Sequence, residues 1–564
     1  MRAGARARER RLLRCGVGWR VGSERICWDR LWHILAVSAE AQATPAAARG
    51  RSHRARSLEL ASGRLLLFVL FAAGVAISAF TILRRVDPFD EGIALQAARR
   101  VMQGQLPYRD FLWPYGPAHP YVMAGLFKAF GVSLLDWRIL RVLSDAASAL
   151  AVFVLARRLA GPRLALVAWL AAACAFAQPT SANPAAEAYA FVLWAVVAVT
   201  GAEEPGSGTL VTGGVLTVLA AAWRPDFAAY AVAASVVALL VRPGRRLRRL
   251  AIWGAVLVAG LALVFVPLLV AAGPHTVYEG VIGNSAREGS YWRLPFPIHY
   301  RGPLPLWPPW HFAKHAQDAL VFYVPLLLVV GLALGVAAAL WRRRGLALAM
   351  LGVGGLAYLL SRTDDLHTAP LLAVVVVLLA AAGAWLIERG HARLAALPLL
   401  VLALLTLYGL SNRVSALVLP PKLATIHVDV ADGVEETPSN AAALDRVVPL
   451  VRRLVPPGGY IYVAPRRSDL VRLNDPTLYV LTERNNPLNR DHGLLTSAAA
   501  QAGIVAVLRR THPRVIIRWT DPISSRPEPN KRGRSSGSRI LDNYINANYR
   551  LLQRDGFYNV MVPR

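Results

Sequence analysis

Cysteine is scarce in this chain: Cys15, Cys27 and Cys174 are the only three in 564 residues. None stands at CxxC spacing, so neither a disulfide framework nor a zinc cluster is indicated. Acidic side chains are few, 34 against 63 Lys and Arg, for a net charge of +29. No G-x-x-x-x-G-K-[ST] run and no dinucleotide-binding fingerprint occurs, so no nucleotide is implied. The N-terminal segment has no apolar h-region followed by a small-residue cleavage site, which argues against an ordinary signal peptide. Residues 1–62 are Arg-rich around one short apolar patch, "LWHILAV". They read as a disordered basic arm, or as the product of a start codon placed too far upstream. Without periodic structure, the arm gives little support to nucleic-acid binding.

What the chain has in plenty is hydrocarbon. Hydrophobic residues make up 55% and charged residues 17%, whereas a soluble protein sits at about 45–50% apolar. Apolar runs fall near 64–83, 139–157, 163–178, 186–201, 209–223, 226–241, 250–272, 319–341, 345–361, 367–387 and 393–419. Many approach the roughly 20 residues needed to cross a bilayer as a helix. The expected fold is therefore mainly α, a polytopic transmembrane bundle of about eleven spans over 63–419. A soluble α/β domain is expected over 420–564.

Arginine orients the spans, because cytoplasmic loops carry the positive excess. With the N-terminus inside, the inner loops hold Arg157, Arg158 and Arg163, then Arg242, Arg245, Arg246, Arg248 and Arg249. Arg342, Arg343 and Arg344 follow, then Arg389 and Arg393. The inner loop "GAEEPGSG" is acidic and takes no side. The short outer turns hold a single arginine each, Arg224 and Arg362, or none. The long loops at 84–138 and 273–318 are then external, as is the tail. The expected location is the plasma membrane, multi-pass, with a cytoplasmic N-terminus.

In the tail, "GGYIYVAP", "PTLYVLT", "PRVIIRW" and "FYNVMVP" read as strands. "AAALDRVVPLVRRLV" and "SAAAQAGIVAVLRR" have helical periodicity. "SSRPEPNKRGRSSGS", at 524–538, is a flexible loop by composition.

The first external loop opens with "VDPFDEGIALQAARRVMQGQ", from Val86. Ile93, Ala94, Ala97, Ala98, Val101 and Met102 recur at helical spacing, so a short amphipathic helix is expected, with Asp90 and Glu91 at its start. Carboxylates there favour the positive end of the helix dipole, and Asp is a good N-cap. A carboxylate at the membrane edge can also act as general base toward a hydroxyl. Both roles stay open for Asp90 at this point.

The run from this Asp-Glu-Gly through "GQLPYRDF" and "YGPAHPYVMAGLFKAFGVSLLDWRILRVLSD" resembles the GT-C glycosyltransferase superfamily. It is most similar to bacterial relatives of protein O-mannosyltransferases and aminoarabinose transferases. The likeness covers about 64–420 and is strongest over 86–145. It implies an integral membrane enzyme that moves a sugar from a polyprenyl-phosphate donor to a glycan, lipid or protein acceptor at the outer face, with no nucleic-acid partner. The family's acidic pair maps onto Asp90 as catalytic base with Glu91 beside it. Its second external carboxylate maps onto Glu187 in "NPAAEAYAF", where many relatives have Asp; a polar residue at a helix start is the other account.

Arg224 and Asp226, in "WRPDF", either serve a donor phosphate, which Arg holds bidentately, or pair with each other. "SRTDDLHTAP" puts Arg362, Asp364, Asp365 and His367 on one external turn, and ionisable groups at a membrane boundary are expensive unless paired or used. Arg362 and His367 suit a lipid phosphate. Asp and His also suit a divalent metal, but no second ligand set accompanies them, so no cofactor is expected. Arg287, Arg293 and Arg301 lie in the long aromatic loop at 273–318, as candidate phosphate contacts in a lid. The implied reaction is a single displacement that inverts the anomeric centre. Three other classes compete: a transporter or flippase for lipid-linked sugars, a polymerase or ligase for envelope glycans, and a non-catalytic envelope protein with a soluble sensor tail, against which the Asp-Glu loop argues. Transporters carry charge near the bilayer midplane and often show repeats, whereas here ionisable residues gather at the outer helix ends.

Overall fold

Leu134–Ala160, Arg246–Ala272, Pro309–Trp341, Asp365–Glu388 and Ala392–Val418 are helices long and apolar enough to cross a membrane. Shorter apolar helices, Gly63–Ala79, Pro162–Phe176, Ala185–Thr200, Ser207–Trp223, Pro225–Val241 and Leu346–Ser361, take up the other apolar runs of the sequence. The computed structural model describes residues 20–21, 24–25 and 53–564, apart from 182, 202–203, 298, 343–344, 471–473, 492–494 and 526–534; side chains are described from residue 63 onward. Most of the basic arm, Cys15, Cys27 and most of the 524–538 loop lie outside the described residues.

The chain divides into two units, Met1–Leu66 and Leu67–Arg564. In the first, Arg20–Val21 pairs antiparallel with Glu24–Arg25. Everything below concerns the second unit. Its axis is Asp365–Glu388, whose apolar window is 78% buried, against 6% for Arg246–Ala272 at the bundle's rim. Leu371 to Leu379 are shut off almost completely from the surface. Ala373 apart, they carry β-branched or γ-branched side chains on every face, and a helix apolar all round is one buried on all sides.

The tail carries a four-stranded sheet. Ile461–Pro465 runs parallel to Val515–Trp519, which pairs antiparallel with Tyr558–Pro563, and Tyr549–Asp555 closes the edge. The helix Ala498–Thr511 lies on the crossover between the parallel pair. One expectation changes, and one strand was not expected. "PTLYVLT" is not a strand but the short helix Thr477–Thr482, with all its residues buried. A brief apolar run has no period to distinguish strand from buried helix, and Pro476 just before it suits a helix start. Tyr549–Asp555, "YRLLQRD", is a strand whose middle residues are largely exposed. An edge strand of this kind is polar and lacks the alternation that marks a covered one.

Candidate active site

The site begins with a helix start. Asp90–Met102 forms the expected helix, but its cap is not Asp90. Asp87 Oδ1 accepts from the backbone N–H of Phe89 (2.9 Å) and of Asp90 (3.0 Å). In return Glu91 Oε2 accepts from Asp87 N–H (2.9 Å). This reciprocal pair satisfies the N–H groups of Asp87, Phe89 and Asp90, in the manner of a capping box. Asp90 is thereby released from capping. Among the described residues its carboxylate makes no hydrogen bond and no ion pair, and it faces a cavity of about 440 Å³.

That cavity is also lined by Arg362, Asp364 and His367 from the turn after Leu346–Ser361, which form one wall, and by Asn284, Glu288 and Trp292 from the long loop. Asp364 organises the first wall. It caps the central helix by accepting from His367 N–H (3.1 Å), and its Oδ1 lies 2.6 Å from His367 Nδ1. Its Oδ2 accepts from Arg362 Nε (2.7 Å). Arg362 Nη1 donates to the Trp292 carbonyl (2.8 Å), and the His367 ring stacks on Tyr358 at 4.5 Å. The guanidinium and imidazole are thus held in place at the cavity lining.

Burial pushes the Asp87 and Asp90 carboxyls up from the ordinary range. Neighbouring carboxylates push further, while His367 and Arg362 pull Asp90 back toward ionisation. Burial works in the same upward direction on Asp364, but its bond to His367 and the charges of His367 and Arg362 outweigh it and hold this carboxyl below its usual value. Among the described residues no group of three or more His, Cys, Asp or Glu side chains is gathered to hold a metal.

Residues 114–270 match the family model described as dolichyl-phosphate-mannose-protein mannosyltransferase. The solved structure of ArnT from Cupriavidus metallidurans bound to undecaprenyl phosphate is similar at 15% identity, covering 89% of this chain and 98% of that one, with a TM-score of 0.52. Its apo state gives 15% identity, the same coverage and a TM-score of 0.51. The protein has the GT-C fold. No curated protein sequence matches the chain.

Within this fold the other candidate residues divide sharply by position. Glu91 is turned away from the cavity. Its carboxylate receives Arg138 Nε (2.7 Å) and Nη2 (2.9 Å), and Arg138 also donates to the carbonyls of Ile82 and Arg85. Arg224 stands one layer behind the wall. It pairs with Asp226, donates to Asn183 Oδ1 (2.7 Å), and lies against the rings of Tyr115, Phe227 and Tyr358. Tyr115 and Asn183, which it holds, do face the cavity. The loop bearing Tyr115 reaches this place through Gly116, whose N–H donates to the Trp223 carbonyl (2.9 Å) and where any Cβ would overlap the Ala222 carbonyl.

Glu187 is buried at the start of Ala185–Thr200, and neither carboxylate oxygen has a hydrogen-bond partner. It does not line the cavity. Arg287 pairs with Glu279 in a neighbouring cleft, and Arg293 and Asp365 are exposed away from the cavity. The cavity residues that sequence reasoning did not single out include Tyr115, Asn183, Asn284, Glu288 and Trp292. Asp87 is legible in the sequence as one of the carboxylates of "DPFDEG", though not as the helix cap. The others give no signal, since their placement depends on how loops far apart in sequence converge.

Proposed function

We propose that this protein transfers a sugar from a polyprenyl-phosphate donor to an acceptor hydroxyl, with Asp90 as general base. The observation that carries this reading is the Asp90 carboxylate, without a hydrogen bond or ion pair among the described residues, in a cavity that Arg362 and His367 also line. The ArnT structure with undecaprenyl phosphate supports a lipid-linked donor for this fold. Here the donor's phosphate lies against Arg362 and His367, with the prenyl chain in lipid. Asp90 takes the proton of the acceptor hydroxyl. The acceptor oxygen bonds to the anomeric carbon as the bond from that carbon to the phosphate oxygen breaks. Polyprenyl phosphate leaves with the electron pair, its charge met by the guanidinium, and the anomeric centre inverts. The cavity is taken to open on the extracytoplasmic side of the plasma membrane, a reading that the arginine-rich loops at the other helix ends support.

The test is glycan and lipid analysis of cells lacking the gene. One glycan modification should disappear and its polyprenyl-phosphate sugar accumulate. The wild-type gene should restore the modification and an Asp90→Asn copy should not. Unaltered glycans and polyprenyl lipids in the deletion would refute the reading.

A further inference from the structure

We propose that the α/β tail is the positioning element of Asp90, acting through Thr477 and the Arg100–Asp491 pair; this rests on the reading of Asp90 as general base. The tail grips the Asp90 helix at both ends. At its start, Thr477 Oγ1 donates to the carbonyls of Asp87 (3.1 Å) and Pro88 (2.8 Å), the turn whose Asp87 side chain caps the helix. One residue beyond Glu91, Gly92 packs directly on the tail backbone. A Cβ there would overlap Thr477 N and Pro476 C, so the glycine of "DEG" is the residue that lets the helix seat. At the far end, Arg100 Nε and Nη2 donate to the two Asp491 carboxylate oxygens (2.8 and 3.0 Å), and Nη2 also donates to the Leu488 carbonyl (2.7 Å). Arg99 Nη1 donates to the carbonyls of Tyr479 (2.5 Å) and Arg484 (3.1 Å). All of these side chains are buried.

Two arginines on one short helix, satisfied by tail carbonyls and one tail carboxylate, leave it little freedom to slide or rotate. A base must sit within about 0.5 Å of its productive place, and such precision comes from supporting groups. Among the described residues, no side chain of the bundle bonds to the 87–88 carbonyls in this way. The tail is therefore part of the catalytic unit, setting where the carboxylate at the helix start points.

The experiment compares Thr477→Val, Thr477→Ser, Asp90→Asn and the Thr477→Val/Asp90→Asn double variant as purified full-length protein. Transfer is measured with the lipid-linked donor, and folding by thermal unfolding. Thr477→Val should lower kcat about tenfold, within the roughly hundredfold that small misplacements can cost, with KM for donor and acceptor unchanged. Thr477→Ser, which keeps the hydroxyl, should restore the rate. In the double variant the Thr477 change should add nothing to Asp90→Asn, because it acts through that carboxylate. The inference is overturned if Thr477→Val leaves kcat per folded molecule unchanged, if it raises only the acceptor KM, or if its effect is fully additive with Asp90→Asn. Near-normal transfer by Asp90→Asn alone would refute the base reading, separately from the role of the tail.

Discussion

The Glu91 carboxylate and the Arg138 guanidinium form a two-point ion pair, Nε to Oε1 at 2.7 Å and Nη2 to Oε2 at 2.9 Å, with neither side chain exposed at all. Arg138 sits in the helix Leu134–Ala160, so the pair ties the first loop to the bundle. Removing one partner of such a pair strands a buried charge, at a cost of about 3–5 kcal/mol. Glu91→Gln should therefore lower the unfolding temperature and the yield of folded protein. Folded molecules that do form should retain transfer. A normal melting profile combined with abolished transfer would instead place Glu91 in the chemistry.

Asp90→Asn should behave in the opposite way. Asp87 carries the cap, so the variant should fold and bind donor normally. Loss of a general base costs about 10²–10⁴ in rate, and single-turnover transfer measurements will show it. A variant within a factor of a few of wild type would reduce Asp90 to a bystander.

The pH profile follows from burial. Asp90 must be ionised to accept a proton, and its carboxyl is pushed above the ordinary range by burial. Transfer, followed as kcat/KM, should rise with pH through an acid limb whose midpoint lies above the usual carboxylate value of about 3.9. Stability should move the other way. A carboxyl raised in the folded state holds its proton more tightly there than in the unfolded chain. The contribution of Asp87 and Asp90 therefore favours the fold at low pH and is lost as pH rises through the raised values. Asp87→Asn should flatten that part of the unfolding-versus-pH curve, and an unchanged curve would count against the raised value.

Arg362 and Arg224 should separate in their effects. Arg362 lines the cavity, and a charge-assisted contact to phosphate is worth about 1.5–3 kcal/mol, so Arg362→Ala should weaken donor binding about tenfold or more. Arg224 is buried behind the wall among three aromatic rings, where a desolvated cation–π contact is worth about 2 kcal/mol. Arg224→Ala should show mainly as lost thermal stability, with a smaller change in donor affinity. Equal donor defects at equal stability would put both arginines on the phosphate.

Orientation is open to labelling. With the native cysteines replaced by serine, Ser207→Cys should resist an impermeant thiol reagent in intact cells. Ser285→Cys and Ser536→Cys should react. All three positions are exposed in the fold, so protection reports the membrane and not burial. Labelling at 207 with protection at the other two would turn the cavity to the cytoplasm.

The sequence by itself determined the apolar helices, the α/β character of the tail and the short helix with Asp90 in its first turn. These follow from composition and from periods of two and 3.6, which are local properties of the chain. It also brought Arg362, Asp364 and His367 onto one turn, since they are neighbours. Only the tertiary structure decided which carboxylate does which work. Asp87 takes the cap, Glu91 turns to a partner 47 residues away in Arg138, and Asp90 is left facing the cavity. Likewise Thr477 meets Pro88 across a separation of 389 residues, in a segment that reads as a strand in the sequence and is a short helix in the structure. The physical reason is common to all of these. A side chain's period places it on a face, but whether that face meets a guanidinium, a backbone carbonyl or open space depends on elements brought together from the far ends of the chain.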